Sequence, residues 1–284
     1  MLKLPDDNDK EILGFGDDSY DDNILSLAIV TAYPLVWDRF NKDWNDTLKE
    51  FNLSYLHMRE IGELIRRNHT ISDTEARDRM FKQLSYVLLD HNISCYSASI
   101  NLTSLYQFNQ KHNLSHIVSP YSLAVYGSCI ELIENTNAIT RTIYLDRTNI
   151  SRNSINESLL YIKNDRFIGN DYSTVKIATT PDGVLAKSTP ALQAADWHAW
   201  EARRYCSNRI SWEPNEEARS DLIRLSLDYR NWHNEFFRQH GRTPEERSAT
   251  RHLLHGSRVR GYLWDYENIR GCHINRLNRL WERL

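Results

Sequence analysis

Four aspartates in three separate stretches are the residues of this sequence best suited to chemistry. Asp17 and Asp18 stand in "GFGDDSYDDN" at the end of an apolar run, Asp146 closes "TRTIYLD", and Asp196 lies within "TPALQAADWHAWEARRYC". Carboxylates are hard oxygen ligands suited to Mg²⁺ or Mn²⁺. Clustering them is unfavourable unless a cation neutralises them. Two such ions, roughly 4 Å apart, can activate a water and stabilise the leaving oxygen of a phosphodiester. An Asp at a strand end is by itself commonly a turn or cap residue. Asp196 differs, because Leu192, Ala194, Ala195 and Trp197 make its helical turn apolar. A buried helical Asp needs a partner or a metal.

Further residues could support such a site. Gln193, three residues before Asp196, could orient a ligand, a phosphate or Asp196 itself. Glu201, five residues beyond Asp196, sits well around the helix and is expected behind the ligands. His57, in "LSYLHM", is either a proton shuttle beside a reacting phosphate or a histidine hydrogen-bonded beneath a helix start. Arg147 could meet a phosphate or pair with an acid. His112 and His116 share a helix face but have no third ligand near them in sequence, which makes a poor zinc set.

The elements that must position these residues follow from periodicity. Residues 11–18 and 24–32 read as two strands around the turn formers of "SYDDN", with Asp21, Asp22 and Asn23 as turn residues only. An unbulged strand sends successive side chains to opposite faces. One of Asp17 and Asp18 is therefore expected to face the site, and Asp17 is the preferred ligand. From Pro34, the residues Leu35, Val36, Phe40, Trp44, Leu48 and Phe51 recur at helical spacing. "REIGELIRRN" and the stretch capped by Ser72 or Asp73 continue a helical insertion at about 34–90. Strands are expected at 93–100, 140–146 and 173–180, alternating with helices from Pro120, over "SINESLLYIKNDR" and from Pro190. The order implies a mixed five-stranded sheet, antiparallel on one side and parallel through βαβ units on the other, with helices on its faces. From residue 215 onward the chain reads as helical and Arg-rich.

Bulk properties narrow the function classes. With 284 residues, 40% of them apolar and 26% charged, the composition excludes disordered and collagen-like classes. No apolar run approaches the roughly 18 residues of a membrane span, and the opening "MLKLPDDNDKEILG" lacks the form of a secretory leader. Cys95, Cys129, Cys206 and Cys272 form no Cys-x-x-Cys, so reduced thiols in a cytoplasmic protein are expected. The net charge of −3 conceals a split. Residues 1–25 carry a net of −6, whereas residues 238–284 hold ten arginines, no lysine and a net of +5. In that tail Tyr262, Trp264, Tyr266 and Trp281 lie among the arginines, a mixture compatible with phosphate pairing and base stacking. Arg276, Arg279 and Arg283 fit equally the wet face of a helix that buries Leu277, Leu280, Trp281 and Leu284.

"DDS" after an N-terminal strand, a strand ending in "LDR", and "LQAADW" together resemble the domain of unknown function 3800 family of bacteria and phages. That family is similar to the ribonuclease-H-like superfamily. Trp44, Leu48, Tyr55 and His57, in "W-x-x-x-L…YLHMRE", resemble the segment after its first hairpin. The likeness covers about residues 11–210. It implies that Asp17 and Asp18 stand at the family's Asp-Glu pair, that Gln193 and Asp196 form its Gln-x-x-Asp, and that Asp146 is the acid on the neighbouring strand. Position 18 is Asp where the family carries Glu.

The expected protein is thus α/β, with a ribonuclease-H-like domain over 1–210 and an Arg-rich helical extension over 211–284. Its expected activity is that of a metal-dependent nuclease. Asp17, Asp146 and Asp196 bind Mg²⁺ or Mn²⁺, Asp18 is an additional ligand, and Gln193 and His57 assist. Expected partners are RNA or DNA rather than a membrane, with a second copy or a protein partner left open. The alternatives are a non-catalytic nucleic-acid- or protein-binding module of a defence or mobile-element system, and a metal-dependent hydrolase of nucleotides.

Overall fold

The computed structural model describes residues 11–112, 119–136, 138, 140–146, 152–164, 175–181, 186–212 and 258–264. Its elements run β1 (Glu11–Tyr20), β2 (Ile24–Ala32), α1 (Pro34–Glu50), α2 (Ile61–Arg67), α3 (His69–Ser72), α4 (Thr74–Asp90) and β3 (Ser94–Asn101). Then follow α5 (Leu102–His112), α6 (Pro120–Glu134), β4 (Thr140–Leu145), α7 (Arg152–Asn164), β5 (Val175–Thr179), α8 (Pro190–Trp212) and β6 (Arg258–Trp264).

The sheet order is β5-β4-β1-β2-β3-β6. β1, β2 and β3 are antiparallel neighbours, while β4 runs parallel to β1 and β5 parallel to β4. The five expected strands therefore form one mixed sheet with helices on both faces. Two expectations are corrected. Residues 258–264, read as part of a helical tail, are a strand that pairs in parallel with β3 from Ser94↔Arg258 to Ile100↔Trp264. The reason combines composition and pairing: "RVRGYLW" carries Val259, Tyr262 and Trp264, types that favour strands, and the edge of β3 offers it backbone partners. The rest of 213–284 lies outside the described residues. A second helix, α5, also precedes α6 where only one was expected.

β2 is buried along nearly its whole length because both of its faces are covered. Leu25, Leu27 and Ile29 join Tyr96, Ala98 and Ile100 of β3 and the apolar side of α6 in one core. Ala28 and Val30 point the other way, into a second core built on Trp37, Phe40, Trp44 and Leu48 of α1, on α4, and on Ala191, Ala194, Ala195 and Trp197 of α8. The period of two along β2 thus divides the interior between the layers. Leu35, expected on the apolar face of α1, is 70% exposed, and Trp37 takes the inward position.

Small residues set how closely α8 approaches. Ser26, Ala28, Ser97 and Ser99 are buried on the face that α8 covers, and Ser26 Oγ lies 2.6 Å from Ser99 Oγ. Alanines on α8 meet this shallow surface, so the helix lies low over β1 and β2 and carries Asp196 towards the strand ends.

Gly16 governs the junction of β1 and β4. A Cβ there would stand 2.5 Å from Cδ2 of buried Leu145. The missing side chain lets β4 close on β1, and Asp146 N donates to Gly16 O at 2.8 Å. Gly16→Ala is expected to destabilise the protein by about 1–3 kcal/mol through overpacking. Urea denaturation checks this; a midpoint equal to or above the parent's would contradict it.

Candidate metal centre

β4 stops at Leu145 opposite Gly16, whereas β1 continues to Tyr20. Among the described residues, the β4 side of β1 beyond Gly16 is therefore an open edge. A cavity of about 360 Å³ lies there, with Asp17, Asp18, Asp146 and Asp196 all on its wall, together with His57. Three elements distant in sequence bring the four expected carboxylates to one place.

The expectation that one of the two adjacent aspartates faces the site is corrected. The strand has no bulge, since its register with β2 runs unbroken from Leu13↔Ala32 to Tyr20↔Leu25. Asp17 points to the α8 side with Leu13 and Phe15, and Asp18 to the α6 side, where the Tyr121 hydroxyl donates to Asp18 Oδ2 at 3.2 Å. Both line the cavity because it wraps the open strand edge rather than covering one face.

Each carboxylate has a distinct setting. Asp17, 7% exposed, accepts a hydrogen bond from Asp18 N at 2.8 Å. Burial first, then the charges of Asp196, Asp18 and Asp146, hold its pKa well above the ordinary carboxylate value. Asp196 is pushed up to about 7, mainly by burial, against the lowering effect of Met58 N, which donates to Oδ2 at 2.7 Å. Asp146 is 5% exposed. Among the described residues, no group of three or more His, Cys, Asp and Glu stands in a metal-holding arrangement as placed. The donor set still suits a hard divalent ion: all the donors are carboxylate oxygens, Asp17, Asp146 and Asp196 are buried, and burial with the neighbouring acids raises the pKa of Asp17 and Asp196.

Gln193 does not line the cavity, so direct contact with a ligand or phosphate there is corrected. Its Oε1 accepts from Trp44 Nε1 at 3.0 Å and from Leu56 N at 2.9 Å, and its Nε2 donates to Lys187 O at 3.0 Å. Alternate amides of an extended segment point the same way, and residues three apart on a helix share a face. Gln193 and Asp196 thereby grip Leu56 N and Met58 N, and His57 between them projects to the cavity. The Gln-x-x-Asp motif acts as a clamp on the segment carrying His57. His57 Nδ1 is buried without a hydrogen bond, 4.0 Å from Asp196 Oδ2. Burial lowers its pKa.

Helical spacing held further information. Trp200 and Arg203, four and seven residues after Asp196, also line the cavity, as one face of a helix requires. Glu201 is buried but is not on the cavity wall. Arg203 donates to Ser19 Oγ at 3.0 Å and to Asp21 Oδ2 at 2.7 Å, and Ser207 donates to the same Asp21 oxygen at 2.6 Å. Asp21 therefore ties the hairpin to α8 as well as accepting from Asn23 N and Ile24 N, which corrects its reading as a turn residue only. Met58 and Arg59 complete the wall but carried no motif that would have marked them. Arg147 and His116 lie outside the described residues, as does the side chain of His112.

No family model matches the chain, and no curated protein matches it. Among the described residues no helix is long and apolar enough to cross a membrane.

Proposed function

We propose that this cavity is the active site of a metal-dependent phosphodiester hydrolase, a nuclease acting on RNA or DNA. The observation that carries the reading is the convergence of Asp17, Asp18, Asp146 and Asp196 on one cavity wall. Such a group is stable only when protons or a cation reduce its charge, and oxygen donors favour Mg²⁺ or Mn²⁺. Asp17, Asp146 and Asp196 would hold the ion, with Asp18 beside them. Once bound, the ion would polarise a phosphoryl oxygen and lower the pKa of water.

The chain's own residues supply the rest. Met58 N fixes Asp196, and the Tyr121 hydroxyl fixes Asp18. His57, its pKa lowered by burial, is a neutral imidazole near pH 7 with Nδ1 able to accept a proton. Arg59 on the wall adds positive charge for a phosphate. The order β3-β2-β1-β4-β5 is compatible with a ribonuclease-H-like domain. That likeness supports the reading by analogy. So does the location, outside the carboxyl ends of the parallel strands β1 and β4.

Linkage gives the test. Asp17 and Asp196 have raised pKa values in the folded protein. Their contribution to stability is full below the unfolded value of about 3.9 and is lost as pH rises through the folded value. For Asp196 that upper limit is about 7. A divalent ion binds the charged forms and works in the opposite sense. Mn²⁺ is therefore expected to raise Tm more at pH 8 than at pH 5, and the same ion should support cleavage of RNA or DNA oligonucleotides. Equal shifts at both pH values, or product from mononucleotides alone, would overturn the proposal.

A further inference from the structure

Resting on the hydrolase reading, we infer that the cavity receives a single-stranded nucleic-acid segment. A base would lie against Tyr20 and Trp200, with a phosphate at Arg59. The floor sets the first constraint. Asp17, Asp146 and Asp196 are 7%, 5% and 5% exposed, so a phosphate reaches them only by entering a cavity of about 360 Å³. A duplex resists this, because it bends over a persistence length of about 50 nm and keeps its bases stacked. A single strand turns at each backbone torsion and presents free base faces.

The upper wall has matching chemistry. Tyr20 ends β1, lines the cavity and is 52% exposed, so its ring face is open to a ligand there. Trp200 is half-buried on the same wall, with the Arg204 guanidinium 4.1 Å from its ring centroid. That stack keeps the indole in place. Two cations line the cavity. Arg203 is committed to Ser19 and Asp21, whereas Arg59 is exposed and makes no ion pair among the described residues. An arginine fork matches a phosphate, and aromatic stacking tolerates any base. Carboxylates below, rings and a cation above, are the complement of a phosphodiester and its attached base.

The experiment measures binding in Ca²⁺, with a short labelled single-stranded oligonucleotide and the blunt duplex of the same sequence followed by anisotropy. Mn²⁺ binding is measured in parallel by calorimetry. The single strand is expected to bind at least about 10-fold more tightly than the duplex, and Tyr20→Ala to lose about 10-fold for the single strand. Tyr20→Phe should retain the affinity, because the ring face is kept. Arg59→Ala should weaken binding and reduce the slope of log affinity against log salt by about one unit. All three variants should bind Mn²⁺ as the parent does. If Mn²⁺ binds but the duplex binds as well as the single strand, or Tyr20→Ala keeps full affinity, this inference falls alone. If the parent does not bind Mn²⁺, the hydrolase reading falls and the inference with it.

Discussion

Asp196→Asn is expected to lower metal-dependent cleavage by at least about 100-fold while making the metal-free protein more stable. Loss of partners that merely support a ligand already costs about 10–100-fold in metal affinity or activity, so loss of a ligand should cost no less. The two effects have opposite signs for one reason. Asp196 is 5% exposed, and burial holds its pKa near 7. At pH 8 the metal-free protein must therefore keep a charge in a poorly solvated place beside other carboxylates. Asparagine removes that charge, and its side-chain oxygen can still accept from Met58 N, so the clamp on the His57 segment survives. The gain in metal-free stability is expected to be about 1–3 kcal/mol at pH 8. It should shrink at pH 5, where Asp196 is already protonated. Thermal unfolding at the two pH values, with and without Mn²⁺, separates the contributions. A variant that keeps the parent's Mn²⁺-induced rise in Tm would sink the assignment of Asp196 as a ligand.

Gln193→Met is the second substitution with a large expected effect, and it acts on architecture. Methionine fills similar space but can satisfy none of the three groups that Gln193 now serves. The Trp44 indole N–H and Leu56 N–H lose an acceptor, and Lys187 O loses a donor. Gln193 is 1% exposed and Trp44 is fully buried, so water does not readily replace these bonds. Each buried polar group left alone costs about 1–3 kcal/mol, which places the loss at about 3–5 kcal/mol. Hydrogen exchange should show the Leu56 amide losing most of its protection, with the change spreading to Met58. Gln193→Glu keeps the acceptor oxygen and loses the donor, and it should preserve more of the Leu56 protection than methionine does. If Gln193→Met unfolds at the parent's urea midpoint, the clamp is not a structural device.

The two substitutions also separate what was legible in the residues from what was not. Asp17, Asp146 and Asp196 could be singled out because each is an acid set in or beside an apolar run, and such placement needs a reason. The spacing of Gln193 and Asp196 could be read as one helix face. Nothing in that spacing says what the face meets. Its partner is an extended stretch some 137 residues away in the chain, and the bonds there go to backbone amides. A backbone donor has no letter in the sequence.

Periodicity by itself determined five of the six described strands, most of the helices between them, and the acids in or beside them, because burial on one or two faces imposes a period of two or 3.6 on each element. It could not determine where one strand outruns its neighbour. That offset, set by β4 ending opposite Gly16 while β1 continues to Tyr20, is a long-range register. It opens the strand edge around which both Asp17 and Asp18 reach one cavity. The placement of residues 258–264 is another tertiary decision, since a short run can be a strand only if another strand's edge is free to pair with it. Local pattern therefore supplied the carboxylates and most of the elements, and the pairing of distant backbones brought them to one cavity.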